Sequence, residues 1–203
     1  MLAIEHAEEL RKRLILVLVF FAVLFVAGVA LSRFCIGFAT GFISGTASLV
    51  VLSPLEYLLS SLKIGFFVAT VFSLPFAAYQ AALFFRPALV GKEKRLSSVF
   101  MPCFLVLYLA GLVFSFLFFV PLALYFLALA PSIGIQNLWS LSNLINFVFF
   151  STLGSVLVFQ IPVVMIILKS LNLADVAWLS GKRKHVYVAV FILAAVLTPG
   201  VDV

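Results

Sequence analysis

The chain has 203 residues, of which 66% are hydrophobic, 10% are charged and 24 are phenylalanine. This mix lies far outside that of a water-soluble domain, and each membrane-spanning helix needs about 20 apolar residues, so the long apolar runs read as spans rather than as one soluble core. The net charge of +6 does not imply nucleic acid, because the basic residues stand in short clusters between apolar runs, where they set membrane orientation.

The first charged stretch, EHAEELRKRL, places Glu5, Glu8 and Glu9 ahead of Arg11, Lys12 and Arg13. Acids before bases at helical spacing predict an exposed juxtamembrane turn with i,i+4 pairs such as Glu8 with Lys12. No small-residue cleavage site follows in register, so the apolar run at 14–32 is a retained first span rather than a signal peptide. The segment 33–63 is semi-apolar and ends in SPLEYLLSSLK. Ser53 suits a helix cap, Pro54 the first helical position and Glu56 the first turn, which predicts a short helix lying on the outer face.

Span two is predicted at 64–85 and leads into RPALVGKEKR at 86–95. This loop holds four bases and one carboxylate, Glu93, in a chain with seven acidic residues. An exposed ion pair with Lys92, Lys94 or Arg95 contributes only about 0–1 kcal/mol, so stability is a weak reason for Glu93. A carboxylate at a membrane surface can instead accept the planar fork of an arginine, and two carboxylates can hold two arginines.

The uncharged run at 96–168 is long enough for two helices. The break falls in APSIGIQNLWSLSN at 130–143, giving span three at 99–128 and span four at 144–168. Gln160, in the middle of span four, must find a partner within the bundle or on another helix, because an unmet buried amide costs about 1–3 kcal/mol. Span five, at 186–198, has about 13 residues, or roughly 20 Å of helix, against a hydrocarbon thickness near 30 Å. Pro75, Pro102, Pro121 and Pro162 fall within spans and can bend them. The fold class is therefore an all-α membrane protein, a polytopic transmembrane bundle with five spans in a single domain over 1–203. With the N-terminus in the cytoplasm, eleven of the thirteen bases face inside and only Arg33 and Lys63 face out, so the predicted topology is N-in.

His6 and His185 stand at opposite ends of the chain, with no Ser/His/Asp or HExxH grouping and no phosphate-binding GxxxxGK[ST] loop. Neither an enzyme nor a cofactor or metal site follows. A small-solute transporter would place ionisable residues at mid-membrane, where this chain has none. A purely structural scaffold would tolerate loss of its cytoplasmic carboxylates.

Several segments, in order, resemble the TatC family, the multispanning receptor subunit of the twin-arginine protein translocase. HAEELRKRL is similar to H-L-x-E-L-R-x-R-L, SPLEYLLSSLK to S-P-x-E followed by L-K, and LPFAAYQAALFFRPALVGKEKR to P-x-x-x-Y-Q, F-x-x-P-x-L and E-R-R in turn. Gly111, Phe114 and Pro121 fit a G-x-x-F and Pro spacing, FQIP an F-[EQ]-x-P site, and LTPGVDV the T-P-P-D end of span five.

The resemblance implies a concave, glove-like bundle of six spans, of which the sixth is missing from this sequence. It also implies recognition of the twin-arginine signal peptides of folded proteins at the cytoplasmic face of a prokaryotic inner membrane, with export driven by the proton motive force. By the same resemblance Glu9 and Glu93 engage the arginines, Arg11, Phe84, Pro87 and Leu89 support them, and Gln160 faces partner helices. TatA- and TatB-type single-span subunits and other TatC copies are the implied partners, and Glu56 and Asp202 lie on the outer face. The sequence departs from the family pattern at Phe116, where tyrosine is common, at His185, where arginine is common, and in the extra residue of TPGVD.

Overall fold

The computed structural model describes residues 2–41, 48–85, 92–129, 138–170 and 188. Along the chain run α1 (Leu2–Ala30), α2 (Ser32–Gly41), β1 (Ser48–Val50), α3 (Pro54–Phe85), α4 (Lys92–Phe114), a π-helical turn (Ser115–Phe119), α5 (Val120–Leu129), β2 (Leu138–Ser140) and α6 (Leu141–Ser170). Among the described residues, four helical stretches are long and apolar enough to cross a membrane: Ala7–Ala30, Pro54–Phe84, Phe100–Leu127 and Leu141–Ile166. They correspond to the first four predicted spans. Span five lies outside the described residues apart from Val188.

The chain forms two compact units. In the first, Met1–Ser97 with Ala123–Ile145, α1 and α3 run antiparallel in close contact. Phe20 meets Phe76 with ring centroids 4.6 Å apart, and Phe21 meets Phe66 at 5.6 Å. The closest approach is between two glycines. A Cβ on Gly28 would fall 2.9 Å from the Gly65 Cα, and one on Gly65 would fall 2.9 Å from the Phe25 carbonyl oxygen. Small residues at such a crossing let two backbones approach where no hydrophobic effect drives association in lipid.

The segments around β1 and β2 meet in a polar knot that the sequence does not predict. β1 pairs in parallel with β2, with Ser48 opposite Leu138, Leu49 opposite Trp139 and Val50 opposite Ser140. Beside this ladder the Glu56 carboxylate accepts hydrogen bonds from the Leu52 amide (2.6 Å), the Ser140 hydroxyl (2.6 Å) and the Ser142 amide (3.1 Å). Lys63 donates to the Ser142 hydroxyl at 2.6 Å. Beneath lies a small apolar cluster of Ile64, Leu141 and Ile145, against which Cys35 and Ile36 of α2 pack.

Two expectations change here. The Ser53 cap forms as predicted, its hydroxyl accepting from the Glu56 amide at 3.2 Å, but the helix it starts is not a separate outer one. It continues without a break to Phe85, because nothing between Lys63 and Gly65 ends a helix: the lysine marks a polarity boundary, and Gly65 serves packing. The short separate helix of this region is instead α2. The fourth membrane helix also begins at Leu141 rather than 144. Ser140 caps it by accepting from the Asn143 amide at 3.5 Å, so residues that read as loop formers act as a helix start.

In the second unit, Ser98–Leu122 with Asn146–Val203, the chain of α4 and the π-helical turn runs antiparallel to α6. A Cβ on Gly111 would fall 3.0 Å from the Val156 Cα, which again marks a backbone-to-backbone approach. Phe114 and Phe159 meet at 5.5 Å, and the fully buried Ser115 and Thr152 hydroxyls share a 3.0 Å hydrogen bond. In the π-helical turn the Val120 amide donates to the Ser115 carbonyl. Pro121 follows at once and has no N–H, so the helical ladder already has a gap where the wider turn occurs.

Candidate functional site

The candidate site lies at the basic end of α1, where the helix is long enough to carry its charged first turns beyond the apolar span. Helical periodicity puts Glu9 and Arg13 on one face. Arg13 donates to a single carboxylate oxygen of Glu9, Oε1, through Nε (3.1 Å) and Nη2 (2.6 Å). Its remaining terminal nitrogen, Nη1, reaches across to α3 and contacts both the Gln80 side-chain oxygen (3.3 Å) and the Gln80 carbonyl (3.4 Å). The Arg13 side chain is 23% exposed and that of Glu9 40%, so the carboxylate remains open to an approaching cation.

The structure therefore replaces the predicted Glu8–Lys12 pair with Glu9–Arg13, the one ion pair among the described residues. Glu8 and Lys12 are both exposed, and no partner on another helix braces them among the described residues. For Glu9–Arg13, Gln80 provides that brace. Arg11 is exposed. Phe84 is half-buried one helical turn beyond Gln80 on α3, so both belong to the same end of the same helix. Glu93 is the second residue of α4, where a carboxylate favours the helix N-terminus. Its side chain lies outside the described residues, as do Pro87, Leu89, His185 and Asp202.

Arg13 and Gln80 were missed as site residues, since the local signal at each does not by itself single it out. Gln80 is the one amide side chain in α3, and Arg13 follows Glu9 at i,i+4.

A second polar position lies in the other unit. Gln160, 8% exposed, donates from Nε2 to the Phe104 carbonyl at 3.4 Å, a long contact. Its Oε1 is buried and accepts no hydrogen bond from the described residues. Among the described residues the amide is thus half satisfied.

Four membrane-length helices, an open carboxylate at the basic end of the first and a polar knot tying together the segments beyond the other end define a polytopic helical membrane protein. Comparison with known proteins makes this specific. The chain matches the family profile of the Sec-independent protein translocase protein (TatC) over residues 5–203. It is 29% identical to the tatC-like protein ycf43 of Pyropia yezoensis, over 98% of this chain and 78% of that one. It is 28% identical to the Sec-independent protein translocase protein TatCy of Bacillus subtilis, over 97% and 78%. A crystal structure of the twin arginine translocase receptor TatC superposes with a TM-score of 0.83 at 27% identity, covering 97% of this chain and 89% of that one. The chain belongs to the TatC family and is a multispanning membrane subunit of the Sec-independent translocase.

Proposed function

We propose that this subunit binds twin-arginine signal peptides of folded precursor proteins at its cytoplasmic face, through Glu9 and Glu93. The observation that carries the reading is that Glu9 already holds a guanidinium in this fold, side-on and half-exposed, at the end of the first span. A carboxylate that accommodates one arginine has the geometry for another, and a lysine ammonium would lack the fork. Glu93, at the start of α4 in the adjoining basic segment, supplies the second carboxylate. Arg11, Phe84, Pro87 and Leu89 are the supporting residues of this reading, taken to offer apolar and polar contact to the peptide.

The same reading places the protein in a prokaryotic inner membrane with its N-terminus in the cytoplasm, because the basic clusters gather on that side. Glu56 and Asp202 then lie on the outer face. The unmet Gln160 Oε1 favours docking of a partner's transmembrane helix, which suits single-span TatA- and TatB-type subunits, and further TatC copies complete the complex. Export uses the proton motive force.

The test is site-specific crosslinking of a twin-arginine signal peptide to the full chain in membranes. Glu93→Ala, and to a similar or lesser degree Glu9→Ala, abolishes the crosslink while the protein stays folded. Undiminished crosslinking in the double variant would sink the reading.

A further inference from the structure

The Glu9 carboxylate is not vacant. Oε1 receives two N–H groups from Arg13, whereas Oε2 takes no hydrogen bond from the described residues. An arginine of the chain itself therefore sits where an arginine of the ligand would bind. Gln80 holds the other side of the same guanidinium through two oxygens, its side-chain Oε1 and its backbone carbonyl. Arg13 is thus poised between one charged and one neutral acceptor.

We infer that Arg13 is an internal competitor for Glu9, which sets the affinity of the receptor for arginine-bearing ligands by occupying the carboxylate until a ligand guanidinium takes its place. This rests on the reading that Glu9 receives an arginine of the signal peptide. Three features support it. The pairing neutralises Glu9, so an incoming cation meets no net charge there until Arg13 gives way. The side-on geometry uses one oxygen, which leaves Oε2 as the point at which a ligand can begin the exchange. Gln80 keeps Nη1 of the displaced guanidinium, so exchange frees only Nε and Nη2, which this partly exposed site leaves to water. For a receptor that must release its ligand, a tethered competitor also speeds recapture of the empty carboxylate. Affinity is then held below what two free carboxylates would give.

An exposed pair of this kind shifts a competing equilibrium by about two- to fivefold. The experiment measures binding of a fluorescent twin-arginine peptide to the full chain in lipid nanodiscs. Arg13→Gln is expected to bind the peptide about two- to fivefold more tightly than the unsubstituted protein. Lys12→Gln, which removes the same charge one residue away, is expected to bind as the unsubstituted protein does.

In a Glu9→Gln background Arg13→Gln should bring no gain, because the competition acts through that carboxylate alone. Gln80→Met, which removes one of the two alternative acceptors, is expected to weaken peptide binding, and it keeps the proposal testable if Arg13→Gln does not fold. Equal or weaker binding by a folded Arg13→Gln, a gain that survives in the Glu9→Gln background, a gain matched by Lys12→Gln, or unweakened binding by Gln80→Met would each overturn the competitor role. A Glu9→Gln protein that binds the peptide as well as the unsubstituted one would instead overturn the underlying reading of Glu9, and the competitor with it.

Discussion

Replacing Gly65 with alanine tests the packing that brings Arg13 to Gln80. The added methyl would sit 2.9 Å from the Phe25 carbonyl oxygen, 3.2 Å from the Val29 amide nitrogen and 2.5 Å from a Val29 methyl. A valine side chain in a helix has essentially one rotamer, so Val29 cannot swing away, and the two backbone atoms move only with α1 as a whole. Ordinary contact begins near 3.4 Å, so the tightest contact, to the Val29 methyl, makes α1 and α3 separate by about 3.4 − 2.5 = 0.9 Å at this point. Overpacking of this kind costs about 1–3 kcal/mol, against a gain of about 0.5–1 kcal/mol from replacing a mid-helix glycine, for a net loss of roughly 1–2 kcal/mol.

The separation also acts at the other end of the helix pair. Gly28 and Arg13 are 28 − 13 = 15 residues apart on α1, and Gly65 and Gln80 are 80 − 65 = 15 apart on α3, so a sideways shift of the pair reaches contacts that already stand at 3.3 and 3.4 Å. Unfolding in detergent with increasing SDS is the assay, with Gly37→Ala as the control. A Cβ at Gly37 would meet nothing within 4 Å, so that variant should be neutral or stabilised by up to about 1 kcal/mol. If Gly65→Ala and Gly37→Ala unfold alike, the close glycine contact does not hold α1 to α3.

Glu56→Gln should loosen the knot around β1 and β2, because an amide keeps one acceptor oxygen for three donors now shared between two charged ones. Faster hydrogen exchange at the Leu52 and Ser142 amides is expected, and unchanged exchange would show that the serines and the β1–β2 ladder hold the segments without the carboxylate. Gln160→Leu removes an amide whose oxygen is buried without a donor among the described residues, so the isolated chain should be as stable as before or more stable by roughly 1 kcal/mol, while assembly with single-span partners weakens. A loss of stability with assembly intact would mean that the amide serves the chain itself.

The membrane helices were legible because hydropathy and charge act over about 20 residues, and few local accidents can hide a pattern of that length. Their ends were less so. Lys63 looked like a boundary because it is charged, yet its ammonium is satisfied by Ser142, 79 positions further along the chain, and the helix runs through it. The polar residues of LWSLSN looked like loop, yet Ser140 and Ser142 begin α6 because Glu56 and the cap meet their polar groups. In both places the deciding partner is distant in sequence. The β1–β2 pairing is the extreme case, since three-residue strands carry no periodicity to read.

The site shows the same division. Glu9 could be singled out because a carboxylate among bases at a membrane surface stabilises little by itself. What surrounds it could not, because the choice between Glu8–Lys12 and Glu9–Arg13 is not made on α1. Both pairs have i,i+4 spacing and the same order of charge, so local helix physics treats them alike. The tie is broken by Gln80, which lies 67 residues from Arg13 and becomes a neighbour only because Gly28 and Gly65 let α1 and α3 touch. Two glycines at one end of a helix pair thus select which carboxylate holds a guanidinium at the other. A change at Gly65 should accordingly alter peptide affinity through Arg13 without touching the site.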